Sequence, residues 1–436
     1  MPKFTWLLRQ LSPLQSYTDT LQTLETMELS PKPIRQSAVV LAIVASALGF
    51  FVDLYDIIIV SVVRRASLLS VGVPETELLE KGVLLLNVQM AGMLLGGFLW
   101  GILGDKRGRL SVLFGSILLY SAATLANAFA PNFECFLALR FLAGIGLAGE
   151  LGAGITLVAE QMPPEKRGLG PAIIGSCGML GAIFGAYIGG HYSWQFTYQL
   201  GGIMGFALLI LRLGVLESGL YEGLKEKTTT RGNLSILFKN PYHLKRYTAV
   251  ILMGFPGWFV NGIVMTFTPE IAKSMGMTEL PSVATVFSVF FIGFTFGDFS
   301  CGLVSQWLKS RKKAILLYLS TFTVLMVVYF IFGSRSVTIY YSIFLLMGIS
   351  VGYTIVLLTN AAEMFGTNIR STVTTSSLNL LRASVIPQSL LFSVLVPSLG
   401  AVTAALITGI GALAVAFYGY TQLEETFHKP LDYVDE

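Results

Sequence analysis

The sequence predicts an all-α membrane protein with about twelve transmembrane helices, arranged as two similar six-helix bundles. Of its 436 residues, 54% are hydrophobic and 12% are charged, whereas soluble domains carry about 25% charged residues. The apolar stretches continue for about 20 residues, the length that a helix needs to cross a bilayer. They do not alternate with polar residues as the strands of a membrane barrel do, so helices are the predicted spanning elements.

Twelve apolar stretches fall into two sets of six on either side of a polar segment. The first six are predicted at 38–63, 83–104, 110–130, 134–160, 168–190 and 196–217. The other six are predicted at 248–272, 282–308, 314–333, 337–361, 370–396 and 399–421. We therefore divide the chain into an N-terminal segment (1–37), a first bundle (38–217), a linker (218–247), a second bundle (248–421) and a tail (422–436).

Basic residues mark every second connection between the predicted helices. They lie at 105–109, at 164–168, in the linker, at 309–313 and at 368–370. Because lysine and arginine are enriched in cytoplasmic loops, these connections and both termini are predicted to be cytoplasmic, with the chain in the inner membrane. Arg64 and Arg65 depart from this pattern at the far end of the first predicted helix. We expect them to extend to the lipid headgroups, with attraction of an anionic solute as the alternative.

Composition and spacing exclude several classes of function. The three cysteines form no CxxC pair and the three histidines lie far apart in sequence, so neither a metal site nor a disulfide framework is expected. No arrangement of a nucleophile and a base emerges, and we expect neither an enzyme nor a cofactor. The chain has a net charge of +4. Because cytoplasmic loops of membrane proteins are rich in lysine and arginine, this charge does not indicate a nucleic-acid partner.

The connection between predicted helices two and three reads GILGDKRGR at 101–109. It resembles the G-x-x-x-D-R/K-x-G-R/K signature of the major facilitator superfamily, and it lies at the expected place. The resemblance implies two six-helix bundles that rock about a central site, and a gating role for Gly101, Asp105, Arg107 and Arg109. These residue types suit that role, because glycine permits close helix packing and the charged side chains can form ion pairs.

Predicted helix four carries a second match. It reads R-x-x-x-G-x-G-x-x-G from Arg140 and continues as E-x-x-P-x-x-x-R-G from Glu160 to Gly168. This pattern resembles the sugar-porter and metabolite–proton symporter branches of the same superfamily, which implies that Glu160 and Arg167 also act in gating. The embedded G-x-G-x-x-G does not predict a dinucleotide site, because it lies within a predicted membrane helix and follows no strand.

Two carboxylates, Asp53 and Asp56, lie inside the apolar stretch of predicted helix one. Their spacing places both on one face of the helix, and ionisable groups within a membrane usually mark a transport pathway. By resemblance to proton–sugar symporters, Asp56 is expected to face Arg140 and to form a proton-coupling pair, with Asp53 as a second acid nearby. The alternative is a permanent structural ion pair, as in related uniporters. The neighbouring Tyr55 is a candidate for solute contact.

The candidate solute-binding residues of the second half are polar or aromatic side chains within predicted membrane helices. They are Trp258, Asn261, Tyr353, Asn360 and Arg382, and Arg140 joins them from the first half. An intramembrane arginine can bind a carboxylate through two parallel hydrogen bonds. For Arg382, an ion pair with Asp298 is an equal alternative. Glu363 and Arg370 lie in a pattern that resembles the symporter branch, which implies a cytoplasmic gate.

These observations predict a secondary transporter that works by alternating access. The expected function is proton-coupled uptake of a small polar metabolite, anionic or zwitterionic, such as a carboxylate, an amino acid or a polycarboxylate siderophore. The alternatives are proton-coupled export of a metabolite or siderophore, against which the lack of an exporter-type proline in predicted helix five argues, and passive facilitation. The expected partners are the solute, protons and the lipid bilayer, and the chain is expected to act as a monomer.

Overall fold

The computed structural model describes residues 36–107, 109–149, 169–217, 240–365 and 370–427. Within these ranges the chain is built from helices and the turns between them, with no strand. Backbone groups in a membrane must be hydrogen-bonded within their own segment, and an α-helix achieves this for a continuous apolar stretch. The predicted all-α class therefore agrees with the described part of the chain.

The helices are numbered in chain order through two halves, the first ending at residue 217 and the second beginning at residue 240. Those of the first half are α1 (Gln36–Val62), α2 (Arg64–Ser70), α3 (Leu78–Arg107), α4 (Arg109–Asn127), α5 (Phe133–Leu147), α6 (Leu169–His191) and α7 (Trp194–Glu217). Those of the second half are α8 (Pro241–Met253), α9 (Phe255–Phe259), α10 (Thr268–Ser274), α11 (Val283–Trp307), α12 (Arg311–Phe332), α13 (Val337–Val351), α14 (Tyr353–Met364), α15 (Arg370–Ala383) and α16 (Val385–Gln422).

Nine helical segments of the described residues are long and apolar enough to cross a membrane. One of them, Ser376–Gln422, is long enough to cover most of the last two predicted helices. A bend in the backbone at Gly400, where φ is 77°, separates the two. Only glycine adopts that conformation without strain. Two more predicted helices correspond to the shorter α4 and α5. Each of the twelve predicted apolar stretches thus contains helix in the described ranges, and residues 150–160 of the fourth stretch lie outside them.

The second half begins earlier than the sequence predicts. Helix α8 starts at Pro241, inside the predicted linker, because the Asn240 side chain accepts a hydrogen bond from the backbone N–H of Tyr242 at 3.0 Å. Asparagine is a favoured helix cap, and proline suits the first turn, where its missing N–H is not needed. Local capping therefore extends this helix beyond its apolar stretch.

Two helices of the second half are interrupted. The interruption predicted at Pro256 and Gly257 is present, since α8 ends just before α9 and a π-helical turn at Val260–Met265 follows. A second break at Gly352 separates α13 from α14. Breaks of this kind leave backbone groups free of their usual helical partners, and in transporters they often lie beside binding sites.

Helices α3 and α5 of the first half cross where only glycine fits. A Cβ atom added at Gly92 would overlap the backbone carbonyl of Phe141. One turn further along α3, a Cβ atom at Gly96 would overlap the carbonyl of Ile145. Small residues four apart allow two membrane helices to approach to backbone contact.

The second half repeats this arrangement between α11 and α13. A Cβ atom at Gly293 would overlap the carbonyl of Leu345, and one at Gly297 would overlap the carbonyl of Ile349. The four-residue spacing is the same as in the first half. The two halves therefore pack a pair of helices through glycines with the same spacing at corresponding places. Such a correspondence is expected of an internal repeat.

Candidate functional site

Helix α1 carries two carboxylates that are completely buried. Asp53 and Asp56 are each 0% exposed, and their spacing puts both on one face of α1. A buried carboxylate that stays ionised needs hydrogen-bonding or cationic partners. The two acids find these partners in different halves of the molecule.

Asp56 is the centre of a polar cluster within the first half. Arg140 Nη1 lies 3.1 Å from its Oδ2, and the Thr124 hydroxyl donates to its Oδ1 at 2.8 Å. Arg140 also donates to Asn127 Oδ1 at 2.8 Å and to Thr124 Oγ1 at 3.0 Å. The guanidinium lies over the Tyr198 ring, 4.7 Å from its centre. The predicted contact between Asp56 and Arg140 is therefore present, and both carboxylate oxygens have partners.

Asp53 is bound by the second half. Its Oδ2 accepts a hydrogen bond from Arg382 Nη2 on α15 at 2.8 Å, and the two side chains are 0% and 4% exposed. Within the described residues, Asp53 Oδ1 and Arg382 Nη1 have no hydrogen-bond partner. The pair is thus a single charge-assisted bond between the halves, with one unused polar atom on each side.

Arg382 does not pair with Asp298, the alternative expected from the sequence. Asp298 lies on α11 and accepts a hydrogen bond from the backbone N–H of Ile355. That N–H belongs to the first turn of α14, just after the break at Gly352, so Asp298 caps the start of a half-helix. Its Oδ1 has no partner among the described atoms.

Arg64 is buried between the halves. Its Nη2 lies 2.5 Å from Glu270 Oε1 of the second half, and its guanidinium is 4.4 Å from the centre of the Phe267 ring. The expectation that Arg64 extends to lipid headgroups is therefore wrong: its side chain is 3% exposed, because a carboxylate of the other half neutralises it there. Arg65 is exposed and pairs with Glu75 at 3.3 Å. We call this end of the molecule the Arg64 end.

Two uncharged hydrogen bonds also join the halves. The Thr266 hydroxyl donates to Ser61 Oγ at 2.8 Å, and the Ser389 hydroxyl donates to Asn87 Oδ1 at 2.5 Å. Together with the Arg64 contact and the bond of Asp53, they hold the halves together from the Arg64 end into the middle of the bundle. The seam between the halves is closed over that length.

The structure does not describe the side chains of most predicted gating residues. Glu160 and Arg167 lie outside the described ranges, and only the backbone is described for the other four, which are Asp105, Arg107, Arg109 and Arg370. Gly101 is described, and a Cβ atom added to it would meet nothing within 4 Å. No described residue therefore packs closely against α3 at that point, and the gating role of Gly101 stays a prediction.

Glu363 is placed at the end of the molecule opposite Arg64, which we call the Arg311 end. Arg311 donates to its two carboxylate oxygens at 3.0 Å and 3.3 Å. The Thr426 hydroxyl also donates to it, at 2.6 Å. Glu363 thereby links the start of α12, the end of α14 and the segment that follows α16.

That segment, residues 423–427, is docked on the Arg311 end, and we call it the C-terminal strap. Glu425 accepts hydrogen bonds from the backbone N–H groups of Arg311 and Lys312 at 2.9 Å and 3.3 Å, and from the Ser310 hydroxyl. Glu424 accepts from Arg246 at 2.6 Å. Burial opposes ionisation of Glu425, but the hydrogen bonds from Ser310 and these backbone groups outweigh it and lower the pKa of its carboxyl. The strap caps α12 with a negative charge.

Three candidate solute-binding side chains hold helices together in this conformation. The hydroxyls of Tyr55 and Tyr353 donate to backbone carbonyls at 2.8 Å and 2.7 Å, and both are buried. Asn360 donates to Thr426 Oγ1 of the strap at 2.9 Å, so it belongs to the Arg311 end. Trp258 and Asn261 lie at the interruption in α9 and the π-helical turn, and both remain partly exposed.

The sequence analysis missed several polar residues that complete these clusters. Thr124 and Asn127 lie three residues apart on α4, and that spacing in an apolar stretch is a signal that could have placed both on one inward face. Glu270 and Arg311 carried no such signal. Charged residues near predicted helix ends are common, and nothing local distinguishes a buried pair from a solvated one.

The sequence profile of the Major Facilitator Superfamily matches residues 41–387 of the chain. The chain belongs to this superfamily. The predicted fold class and family are thereby confirmed, and so is the prediction of a membrane transporter rather than an enzyme.

Other members of the superfamily resemble this chain over different lengths. The niacin transporter of Acinetobacter baylyi is 35% identical over 138 residues, 31% of this chain and 31% of the relative's own length. The sialic acid transporter of Escherichia coli is 23% identical over 319 residues, 71% of this chain and 76% of the relative. The crystal structure of a D-xylose-proton symporter superposes with a TM-score of 0.68 at 15% identity, covering 90% of this chain and 99% of that one. This last likeness shows the superfamily fold.

Proposed function

We propose that this protein imports a small organic carboxylate together with protons. The observation that carries the proposal is the buried guanidinium of Arg382, whose Nη1 has no partner among the described residues. An unused donor of a buried cation is unfavourable inside a membrane, unless a ligand completes its hydrogen bonds. A carboxylate suits this arginine, because the two groups can form parallel hydrogen bonds.

The other intramembrane arginine differs from Arg382 in this respect. Arg140 directs its three nitrogens to Asn127, Asp56 and Thr124. Among the described residues, Arg382 by contrast makes one hydrogen bond, to Asp53. We therefore assign the solute carboxylate to Arg382, and we place Arg140 with Asp56 and Asp53 in the group responsible for proton coupling.

Trp258 and Asn261 are proposed as further solute contacts. Both lie at the helix interruption between α8 and α10 and are partly exposed. In related architectures, discontinuous helices border the central site and present backbone groups to the solute. Tyr55, Tyr353 and Asn360 have their polar groups engaged in the fold, so we propose no direct solute contact for them.

The relatives support a small organic acid as the solute. The names of the Acinetobacter and Escherichia proteins specify niacin and sialic acid, and both compounds are carboxylic acids. A zwitterionic amino acid or a polycarboxylate siderophore would present the same group to Arg382. These compounds therefore belong in the same assay.

The orientation and the gate remain part of the proposal. Basic residues at alternate connections favour a cytoplasmic location for both termini and an inner-membrane location for the protein, acting as a monomer. The Arg64 end then faces outward, and its closed seam corresponds to a state that is shut to the outside. We propose that the gate at the other end is formed by side chains around Asp105, Arg107 and Arg109, together with Gly101, Glu160, Arg167, Glu363 and Arg370.

The proposal is tested by solute-driven proton movement in proteoliposomes. The external pH is followed while nicotinate, sialic acid, alanine, citrate, D-xylose or the uncharged nicotinamide is added. We expect a carboxylate to make the external medium more alkaline, and we expect Arg382→Gln to abolish this response. Transport of D-xylose or nicotinamide, with no response to any compound bearing a carboxylate, contradicts the proposal.

The same assay separates the alternative transport modes. Carboxylate movement that never changes the external pH indicates a passive facilitator. A carboxylate gradient that drives protons in the opposite direction indicates an exporter that works by antiport. Ser389→Ala, which removes an uncharged hydrogen bond between the halves, is the matched control for Arg382→Gln and should behave as the wild type.

A further inference from the structure

The two carboxylates of α1 differ in which half of the molecule holds their partners. The described hydrogen-bond partners of Asp56, Arg140 and Thr124, both belong to the first half. The partner of Asp53 is Arg382, 329 residues away in the second half. A movement of one half against the other leaves these two hydrogen bonds of Asp56 in place, but it breaks or remakes the bond of Asp53.

Alternating access requires such a movement, because transporters of this architecture expose a central site to one side at a time by rocking their halves. When the bond between Asp53 and Arg382 breaks, two buried charged groups lose each other. Neither can stay charged and unpaired in an apolar interior without a large cost in free energy. A proton can neutralise Asp53, but an arginine side chain does not give up its proton in proteins. Arg382 therefore needs another anion.

We propose that the solute carboxylate replaces Asp53 on Arg382, and that Asp53 binds one proton as it is displaced. This exchange rests on the proposed import of a carboxylate and identifies its coupling step. Asp53 changes from a carboxylate to a carboxylic acid, and the guanidinium keeps one anionic partner throughout. The charge of the site is the same before and after, with one proton bound for each carboxylate.

The two unused atoms of the pair are the ones that this exchange requires. Arg382 bonds to Asp53 through Nη2 alone, so Nη1 can receive an oxygen of the solute before Asp53 leaves. Asp53 bonds through Oδ2 alone, so Oδ1 is available to bind the proton. Exchange can thus proceed through a shared arrangement, without an intermediate in which either charge is buried alone.

Among the described residues, the charged groups that act on Asp53 are Arg382 and Asp56. Asp56 lies on the same face of α1 as Asp53 and acts on it electrostatically. Asp56 is in turn paired with Arg140, and it acts electrostatically on Tyr55 and Tyr198. Arg140 neutralises Asp56 in every state that keeps the first half intact. Proton binding at Asp53 is therefore governed by whether Arg382 is bound to it.

Proton uptake on binding by the wild-type protein is the first test. Nicotinate is titrated calorimetrically into detergent-solubilised protein in two buffers of different ionisation enthalpy, with nicotinamide as the uncharged control. Near neutral pH we expect about one proton to be taken up per nicotinate bound, because the exchange protonates one carboxylate. Nicotinate binding without proton uptake overturns the exchange.

The variant Asp53→Asn separates solute exchange from proton coupling. Asparagine still accepts a hydrogen bond from Arg382, but it neither carries a charge nor binds a proton. In proteoliposomes we expect this variant to exchange nicotinate across the membrane with a KM no higher than that of the wild type. Accumulation of nicotinate driven by a pH gradient should be lost. Ser389→Ala removes another bond between the halves and should keep both activities.

Each outcome decides between the two proposals. If the wild type exchanges nicotinate but Asp53→Asn still accumulates it, the exchange step is wrong and carboxylate import stands. The step is also overturned if Asp56→Asn loses accumulation while Asp53→Asn keeps it, since Asp56 would then be the coupling acid. If the wild type exchanges no carboxylate of the panel, the import proposal fails and the exchange fails with it. If Asp53→Asn does not reach the membrane, the calorimetric result on the wild type decides.

Discussion

Replacing Glu270 by glutamine should open the seam at the Arg64 end. Glutamine keeps the size of the side chain and an oxygen for Arg64, but it removes the charge from a contact of 2.5 Å between side chains that are 3% and 17% exposed. A hydrogen bond to a charged group contributes about 1.5–3 kcal/mol to stability. Since Glu270 is partly exposed, we expect about 2 kcal/mol, which shifts the ratio of closed to open molecules by about 30-fold.

The opening can be measured as a distance between spin labels on the two halves. Thr76 and Thr278 line one shallow cavity of about 430 Å³ at the Arg64 end, from the first and second halves respectively. Both are exposed, so cysteines can be labelled there in a background without the three native cysteines. In the labelled protein that keeps Glu270, pulsed electron–electron double resonance should give one short distance between the two labels. When Glu270→Gln is added, a second, longer distance should appear.

Arg65→Gln is the matched control for this variant. It removes an ion pair at the same end, but that pair is exposed and lies within the first half. Exposed pairs contribute about 0–1 kcal/mol, so the distance distribution should hardly change. If Glu270→Gln leaves the distribution as closed as Arg65→Gln does, the Arg64 contact does not hold the halves together and the reasoning is wrong.

Two further variants test the strap and the helix packing. The pKa of Glu425 is lower in the folded protein than its usual value of about 4.3, so its contribution to stability is complete above that pH and is lost as the pH falls through the folded pKa. The thermal stability of Glu425→Gln in detergent should therefore lie below that of the wild type at neutral pH, and the difference should shrink as the medium becomes more acidic. Gly297→Ala places a methyl group against the carbonyl of Ile349 and should destabilise the protein by about 1–3 kcal/mol, measured as a lower unfolding temperature.

Gly297→Ala has a control variant on the same helix. Gly302→Ala adds the same methyl group to the same helix, where nothing lies within 4 Å, and it should leave the unfolding temperature unchanged or slightly higher because alanine favours helix. Equal losses in both glycine variants would mean that close packing of α11 is not the cause. A stability difference for Glu425→Gln that grows towards acidic pH would show that the carboxylate is not stabilising in the folded state.

The sequence predicted the parts of the site that depend on one helix or on a known motif. The spacing of Asp53 and Asp56 put both on one face of α1. The resemblance to proton–sugar symporters predicted the contact between Asp56 and Arg140, because in that family the aspartate on the first helix faces an arginine on the fourth. The glycine pairs of α3 and α11, four residues apart in each half, could also have been found from the sequence.

The contacts between the halves could not be predicted in this way. Arg64 and Glu270 are separated by 206 residues, and Asp53 and Arg382 by 329 residues. For Arg382, the sequence offered Asp298 as an equally good partner. Which pair forms depends on how one half is turned against the other, and no local pattern encodes that angle.

The amino-acid sequence by itself determined the all-α membrane class and the superfamily of this protein. It could do so because a bilayer permits few structures: an apolar stretch of sufficient length must form a helix, since lipid offers its backbone no hydrogen bonds. The tertiary structure decided which buried charges meet. Arg382 meets Asp53, Arg64 meets Glu270, and the strap meets Arg311, because the energy of an ion pair depends on separations of a few ångströms that only the packed helices define.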